Sequence, residues 1–95
     1  MDIYVHRRGL PRPELAPVKK AAIRQASGTH LRLLREQRGW SQQALADVAD
    51  VAKKTIYRLE TAQTSPTLEV LACLAEGLEI PLRDLVDFSV PESRV

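Results

Sequence analysis

The strongest constraint on the fold is the close spacing of helix start and stop signals between residues 29 and 88. Gly39 is a typical helix terminator, and Ser41 directly after it is a good N-cap for the next helix. The intervals between such signals are short and carry apolar residues at helical spacing. The breaks fall at residues 39–41, 50–51, 64–67 and 81. Thr67 is predicted to cap the helix that follows it, with Leu68 on the buried side of that helix. This pattern predicts an all-α domain of five short helices.

The size and composition of the chain fit one small globular domain. It has 95 residues, of which 44% are hydrophobic, enough for a compact core. Its single cysteine, Cys73, excludes an internal disulfide. No apolar run approaches the length of a membrane span, and the N-terminus lacks the apolar stretch of a secretory signal. We therefore expect a soluble cytoplasmic protein with no membrane partner, and the small size argues against an enzyme.

Charge is distributed unevenly along the chain. Residues 1–38 carry nine basic and three acidic side chains, a net charge of +6, and residues 39–64 are neutral. Residues 65–95 carry two basic and six acidic side chains, a net charge of −4. Such a gradient is typical of a protein that meets a polyanion at one end. A dipolar protein with no nucleic-acid partner would show it as well.

Residues 1–28 differ in composition from the rest and are predicted to form a basic N-terminal arm. The arm contains three prolines, and a short helix is expected over 18–26, with a break at 27–29. One continuous helix through Gly28 is the alternative, because a single glycine costs only about 1 kcal/mol relative to alanine. Arg7, Arg8 and Arg12 in the arm either follow a phosphate backbone or enter a minor groove, or the arm packs back on the domain or on a second subunit. Residues 29–88 form the predicted domain, and residues 89–95 a tail.

The segment KKTIYRLE, residues 53–60, has two chemically distinct faces. On a helical wheel the apolar face holds Ile56 and Leu59, and Thr55 lies at its border. The opposite face is cationic and holds Lys53, Lys54, Tyr57 and Arg58. The preceding helix is joined by only a few residues, so the two helices must cross steeply and leave the cationic face free. An α-helix presented in this way fits the DNA major groove, which is roughly 12 Å wide. The alternative is an ordinary solvated face.

The run from residue 31 to residue 85 resembles the helix-turn-helix domain of the phage Cro and lambda repressor family, also called the xenobiotic-response-element type. The similarity covers about residues 29–88, some two-thirds of the chain. It is carried by a set of residues in the family's order and spacing: Leu34, Arg35, Gly39, Ser41, Gln42, Leu45, Ala46, Val51, Ile56, Leu59, Glu60, Pro66 and the apolar positions from Leu71 to Leu85. The resemblance implies a five-helix lambda-repressor-like fold with an N-terminal extension.

The resemblance also implies roles for individual residues. Gln42 would contact a DNA phosphate and brace the recognition helix, and Gln43 would reach the backbone. Tyr57 would contact phosphate, while a buried pair of Arg35 and Glu60 would tie the first helix to the third. The base-reading positions would be Lys53, Lys54, Thr55 and Arg58, with a preference for guanine. By analogy the dimer interface would comprise Ile80, Leu82, Leu85, Val86 and Phe88.

The chain departs from the family pattern at a few positions. Glycine is usual in the turn that here holds Asp50, and also after the recognition helix, where the chain has Ala62. Ala52 replaces the usual serine or threonine cap, which would remove one capping hydrogen bond worth about 0.5–2 kcal/mol. Ala44 stands where the family commonly has glutamate. These changes bear on stability more than on the cationic face.

Other candidate sites carry less weight. His6 and His30 lack further ligands nearby, so we expect no metal and no cofactor, and no catalytic set is evident. We interpret Trp40 and Cys73 as packing residues.

The predicted function is a sequence-specific DNA-binding transcriptional regulator, a homodimeric repressor acting on a palindromic operator. An antitoxin that binds a toxin protein, a controller protein of a restriction–modification system, and a pure protein-interaction module remain alternatives.

Overall fold

The computed structural model describes residues 20–90, and these residues form five α-helices with no strand. The predicted all-α class is confirmed. The predicted features of residues 1–19, including Arg7, Arg8, Arg12 and His6, lie outside the described residues, as do residues 91–95. The helices are α1 (Lys20–Gln37), α2 (Gln42–Ala49), α3 (Lys53–Glu60), α4 (Leu68–Leu78) and α5 (Leu82–Leu85).

Two of the helix starts are capped by the side chains that the sequence indicates. The Ser41 hydroxyl accepts a hydrogen bond from the Ala44 backbone N–H at 3.0 Å. The Thr67 hydroxyl accepts one from the Val70 N–H at 3.1 Å. Ala52, in the cap position of α3, makes no such bond. Helix α3 therefore depends on tertiary packing more than its neighbours do.

The core lies where α2 packs on α4, with α3 against both α1 and α2 and with α5 folded on α4. Gly77 allows the close approach of α4 to α2, because a Cβ there would lie only 3.0 Å from both Cα and Cβ of Ala49. All five helices contribute to one apolar cluster. Its buried members are Leu31, Leu45, Ala46, Ala49, Ile56, Leu59, Leu74, Ala75, Leu78 and Leu85.

Two leucines differ from their expected places. Leu68, expected on the buried side of α4, is 69% exposed, because it begins the helix beyond the edge of the core. Leu85, expected at a dimer interface, is only 4% exposed and belongs to the protomer's own core. Helix α5 has four residues, and Leu85 is the one that it buries. Leu85 therefore packs inside the protomer, and its assignment to an intersubunit face stays a prediction.

Helix α1 runs without interruption through Gly28, where the sequence suggested a break, so it begins inside the predicted arm. Gly28 is buried, and a Cβ added to it would collide with the Leu59 carbonyl oxygen and lie 3.2 Å from Glu60 Cα. The glycine is thus required for the close approach of α1 to the end of α3. Close helix packing, and not helix termination, explains this residue.

We predict that Gly28→Ala lowers the free energy of unfolding by about 1–3 kcal/mol, even though alanine is the better helix former. The added methyl group meets backbone atoms of α3, which cannot rotate away as a side chain can. Urea denaturation measures the change. Thr29→Ala, at the exposed neighbouring position, is the control and should change stability by less than about 0.5 kcal/mol. A Gly28→Ala variant as stable as the wild type would contradict the close-packing explanation.

Candidate nucleic-acid interface

The connection between α2 and α3 is a tight turn with one left-handed residue. Asp50 adopts φ 57° and ψ 46°, and its backbone N–H donates to the Ala46 carbonyl. The Val51 N–H donates to the same carbonyl at 3.1 Å, and the Val51 side chain packs against the core. Aspartate tolerates this conformation better than most residues, so glycine is not needed here. The turn joins the two helices through only three residues, Asp50 to Ala52, and so sets how they cross.

Helix α3 is anchored by its apolar face. Ile56 is fully buried and Leu59 nearly so, while Thr55 at the border is half-buried. The opposite side of the helix is exposed and carries Lys53, Lys54, Tyr57 and Arg58. Within residues 20–90 no acidic side chain forms a salt bridge with these three cations. The described part of the molecule thus offers a short helix with a concentrated positive face.

A buried ion pair joins the C-terminal end of α3 to α1. Arg35 Nε donates to Glu60 Oε2 at 2.7 Å and Arg35 Nη2 to Glu60 Oε1 at 2.9 Å, a bidentate arrangement. The two side chains are only 9% and 2% exposed. The hydrogen bond to Glu60 raises the pKa of Arg35 above its ordinary value, against the opposing effect of burial. The pair expected from the family resemblance is therefore present as a contact between α1 and the last residue of α3.

The same network includes the first residue of α2 and the loop before it. Gln42 Nε2 donates to Glu60 Oε1 at 3.0 Å, and Arg35 Nη1 donates to the Trp40 carbonyl at 2.6 Å. Gln42, the expected phosphate contact and brace, thus has its amide directed at the end of α3. Gln43 lies outside this network. Its amide donates to Asp47 Oδ1 at 2.8 Å along the exposed face of α2.

Two arginines make structural contacts that no pattern in the sequence indicates. Arg38 donates to the Leu78 carbonyl at the end of α4, and its guanidinium lies 5.5 Å from the centre of the Trp40 ring. Arg24 Nε donates to the Ala62 carbonyl, in the turn after α3, at 3.2 Å. Both bonds join positions about 40 residues apart, so no local pattern in the sequence indicates them.

The C-terminal end of the described chain carries an apolar face. Leu82 is 38% and Val86 46% exposed, whereas Ile80 packs partly on the core. Phe88 is half-buried, with its ring 5.8 Å from the ring of His30, and His30 Nε2 donates to the Asp84 carbonyl at 2.7 Å. Phe88 and Leu33 line a groove of about 400 Å³ beside α1. Of the expected interface residues, Leu82 and Val86 are the most exposed.

Neither a metal cluster nor a membrane span is found in the described part of the chain. Residues 20–90 contain no group of three or more histidine, cysteine or acidic side chains placed to hold a metal ion. None of the five helices combines the length and the apolar character needed to cross a bilayer.

We predict that Glu60→Ala lowers the free energy of unfolding by about 3–5 kcal/mol, because it leaves the buried Arg35 charge without its carboxylate partner. Urea denaturation measures this change. Glu36→Gln provides the matched control: Glu36 lies 3.9 Å from the same guanidinium but is 55% exposed, so its loss should cost less than about 1 kcal/mol. Equal effects of the two substitutions would show that the buried pair has no special importance.

Known proteins share both the sequence pattern and the fold. A family model described as helix-turn-helix, HTH_3, matches residues 31–85. The HTH-type transcriptional regulator SutR of Escherichia coli is 38% identical over 65 residues, which cover 68% of this chain and 35% of SutR. The regulator PrpR of Mycobacterium tuberculosis is 35% identical over 71 residues, 75% of this chain and 15% of PrpR. The chain thus spans about a third or less of these curated relatives.

Solved structures extend the similarity to three dimensions. The restriction–modification controller protein C.AhdI from Aeromonas hydrophila is 31% identical with a TM-score of 0.65, over 67% of this chain and 97% of that protein. An HTH_3 family transcriptional regulator from Vibrio cholerae is 28% identical with a TM-score of 0.67, over 70% of this chain and 38% of that protein. The resemblance to lambda-repressor-like proteins is confirmed, and the chain belongs to the HTH_3 helix-turn-helix family.

Proposed function

We propose that this protein binds duplex DNA sequence-specifically through α3 and regulates transcription. The single observation that carries this proposal is the geometry of α3: its cationic face is exposed, while Ile56 and Leu59 on the opposite face pack in the core. Membership of a family of DNA-binding regulators, rather than of a class of enzymes, supports it. The charge gradient agrees, since the acidic C-terminal third would face away from the DNA.

The exposed groups on α3 have the chemistry required for reading base edges. Lysine and arginine donate hydrogen bonds to guanine O6 and N7 in the major groove, so Lys53, Lys54 and Arg58 are the proposed base readers. Thr55, at the border of the buried face, would touch a base or a thymine methyl group. Tyr57 would contact phosphate through its hydroxyl. A helix of eight residues is only about 12 Å long and therefore reads only a few base pairs.

The first turn of α2 would fix the orientation of α3 on the DNA backbone. A glutamine amide carries two N–H donors. One N–H of Gln42 is directed at Glu60, which leaves the second for a DNA phosphate. Gln43 would contact the backbone from the exposed side of α2. In this arrangement the Gln42 amide would bridge a DNA phosphate and Glu60, the last residue of α3.

Two copies of the protein would provide useful specificity, on half-sites about 34 Å apart, one turn of the double helix. We propose that the copies meet through Leu82 and Val86, with Phe88 and Ile80 beside them, and that Leu85 supports this face from within the core. Such a homodimer would act as a repressor by occluding a promoter.

A controller protein of a restriction–modification system is the second candidate. The observation in its favour is that the match to C.AhdI extends over 97% of that protein, so a domain of this kind forms nearly all of a known controller. The antitoxin alternative, with a toxin protein as partner, has no comparable support. Genes for a methyltransferase or a toxin next to this one would separate these contexts.

We predict that Lys54→Ala and Arg58→Ala each weaken binding to the cognate operator by about 1–3 kcal/mol and relax the base preference at one position. The operator is first selected from a random pool of duplexes, and affinities are then measured by gel-shift titration. Arg32→Ala is the control, because Arg32 is exposed on α1 and pairs with Glu36 at 3.2 Å. Unchanged affinity in both α3 variants would exclude these residues as base readers.

We predict that Val86→Asp abolishes the homodimer and weakens operator binding while the domain stays folded, because Val86 is exposed in the protomer. Analytical ultracentrifugation measures the association, and circular dichroism checks the fold. Leu68→Asp is the matched control: it places the same charge on another exposed apolar residue, at the start of α4. The proposed face is wrong if the wild type is monomeric at high concentration or if Val86→Asp still sediments as a dimer.

A further inference from the structure

One face of α1 follows the last turn of α3 and the turn after it. Arg24, Gly28, Leu31 and Arg35 are spaced four, three and four residues apart, so they lie within an arc of about 60° on the helix. Arg35 binds Glu60, Gly28 lies against the Leu59 carbonyl, and Arg24 donates to the Ala62 carbonyl at 3.2 Å. The two arginines therefore hold the C-terminal end of the recognition helix from either side of the close approach at Gly28.

The segment that Arg24 contacts has an unfavourable backbone conformation. Ala62 has φ 62°, in the left-handed region, which costs a non-glycine residue roughly 1–2 kcal/mol. Alanine also lacks the polar side chain with which asparagine or aspartate can stabilise this conformation. The turn is closed by backbone hydrogen bonds from the Ala62 N–H to the Leu59 carbonyl at 3.1 Å and from the Gln63 N–H to the Arg58 carbonyl at 2.9 Å. A further contact that holds this turn would offset the backbone strain.

We infer that Arg24 is a positioning residue for DNA binding, which acts by holding Ala62 in its left-handed conformation and so fixing the end of α3 that carries Arg58. The inference rests on the proposed DNA-binding function. The family model matches residues 31–85, so Arg24 lies outside the part of the domain that defines the family. Its contact with Ala62 joins a residue outside that part to one inside it. Its guanidinium is directed at a backbone carbonyl and its side chain is half-buried, as suits a structural contact.

A positioning role and a direct phosphate contact make different predictions for DNA binding. Each phosphate contact adds about 0.9 to the slope of the logarithm of affinity against the logarithm of salt concentration. If Arg24 acts through Ala62, its removal lowers affinity and leaves this slope unchanged. Its importance should also decrease when glycine replaces Ala62, since glycine adopts positive φ without strain.

The test is a double-mutant cycle on the selected operator with full-length protein. Arg24→Ala should lower affinity roughly three- to tenfold, the range expected for the loss of one hydrogen bond. In the Ala62→Gly background the same substitution should lower it less than about twofold, with an unchanged salt slope in both cases. Circular dichroism confirms that each variant is equally folded at the temperature used. Arg32→Ala, which removes an exposed guanidinium from α1, is the matched control and should change affinity less than about twofold.

The DNA-binding measurements can overturn the inference in two ways. An unchanged affinity in Arg24→Ala shows that the residue does not position α3. A loss that persists in full in the Ala62→Gly background shows that Arg24 does not act through Ala62, and an accompanying decrease of the salt slope by about 0.9 would identify it as a phosphate contact.

A second measurement does not require DNA. Hydrogen exchange at the Gln63 amide, which is bonded to the Arg58 carbonyl, should become faster in Arg24→Ala and return toward the wild-type rate when Ala62→Gly is added. Unchanged exchange in Arg24→Ala overturns the positioning role whatever the DNA result. A wild type that selects no duplex from the random pool would instead contradict the proposed function, and exchange would still report on the contact.

Discussion

A single buried guanidinium connects the parts of this domain that must be held at fixed angles. Arg35 projects from α1, binds the carboxylate that ends α3 and also binds the carbonyl of Trp40 before α2. Gln42 closes the network from the first turn of α2. Leaving the charge of Arg35 or Glu60 unpaired inside the protein would be costly. The network therefore permits one mutual orientation of the three helices that it joins. Everything proposed for the outer face of α3 depends on that orientation.

The local features of the fold were the most predictable from the sequence. Ser41 and Thr67 cap helices because a short hydroxyl side chain satisfies a free backbone N–H in the first turn, and this requires no knowledge of tertiary contacts. The two faces of α3 followed from helical periodicity in the same way. The partner of Arg35 came from the resemblance to a known family, since nothing local relates a residue to another 25 positions away.

The errors and omissions arose where tertiary packing decides the outcome. Gly28 has the local character of a helix break, but its environment is the backbone of α3. Leu85 is the last residue of α5 and Val86 follows it directly, and only the path of the chain determines which of these two apolar residues is buried. The contacts of Arg24 and Arg38 are directed at backbone carbonyls, which every residue has, so composition could not single out their partners. The site residues on α3 themselves remain predictions that the DNA-binding experiments decide.

The brevity of α5 has a consequence for how the protein opens locally. This helix contributes one buried side chain and is tied to α1 by the bond from His30 to the Asp84 carbonyl, so few interactions oppose its detachment from the rest of the domain. Leu82 on this helix and Val86 directly after it are the exposed residues proposed to meet a second copy. Association would then order α5 as well as join the subunits, and protection of its amides would increase with protein concentration by mass action. If the proposed pair forms through this face, dilution of the protein would favour both dissociation of the pair and local detachment of α5.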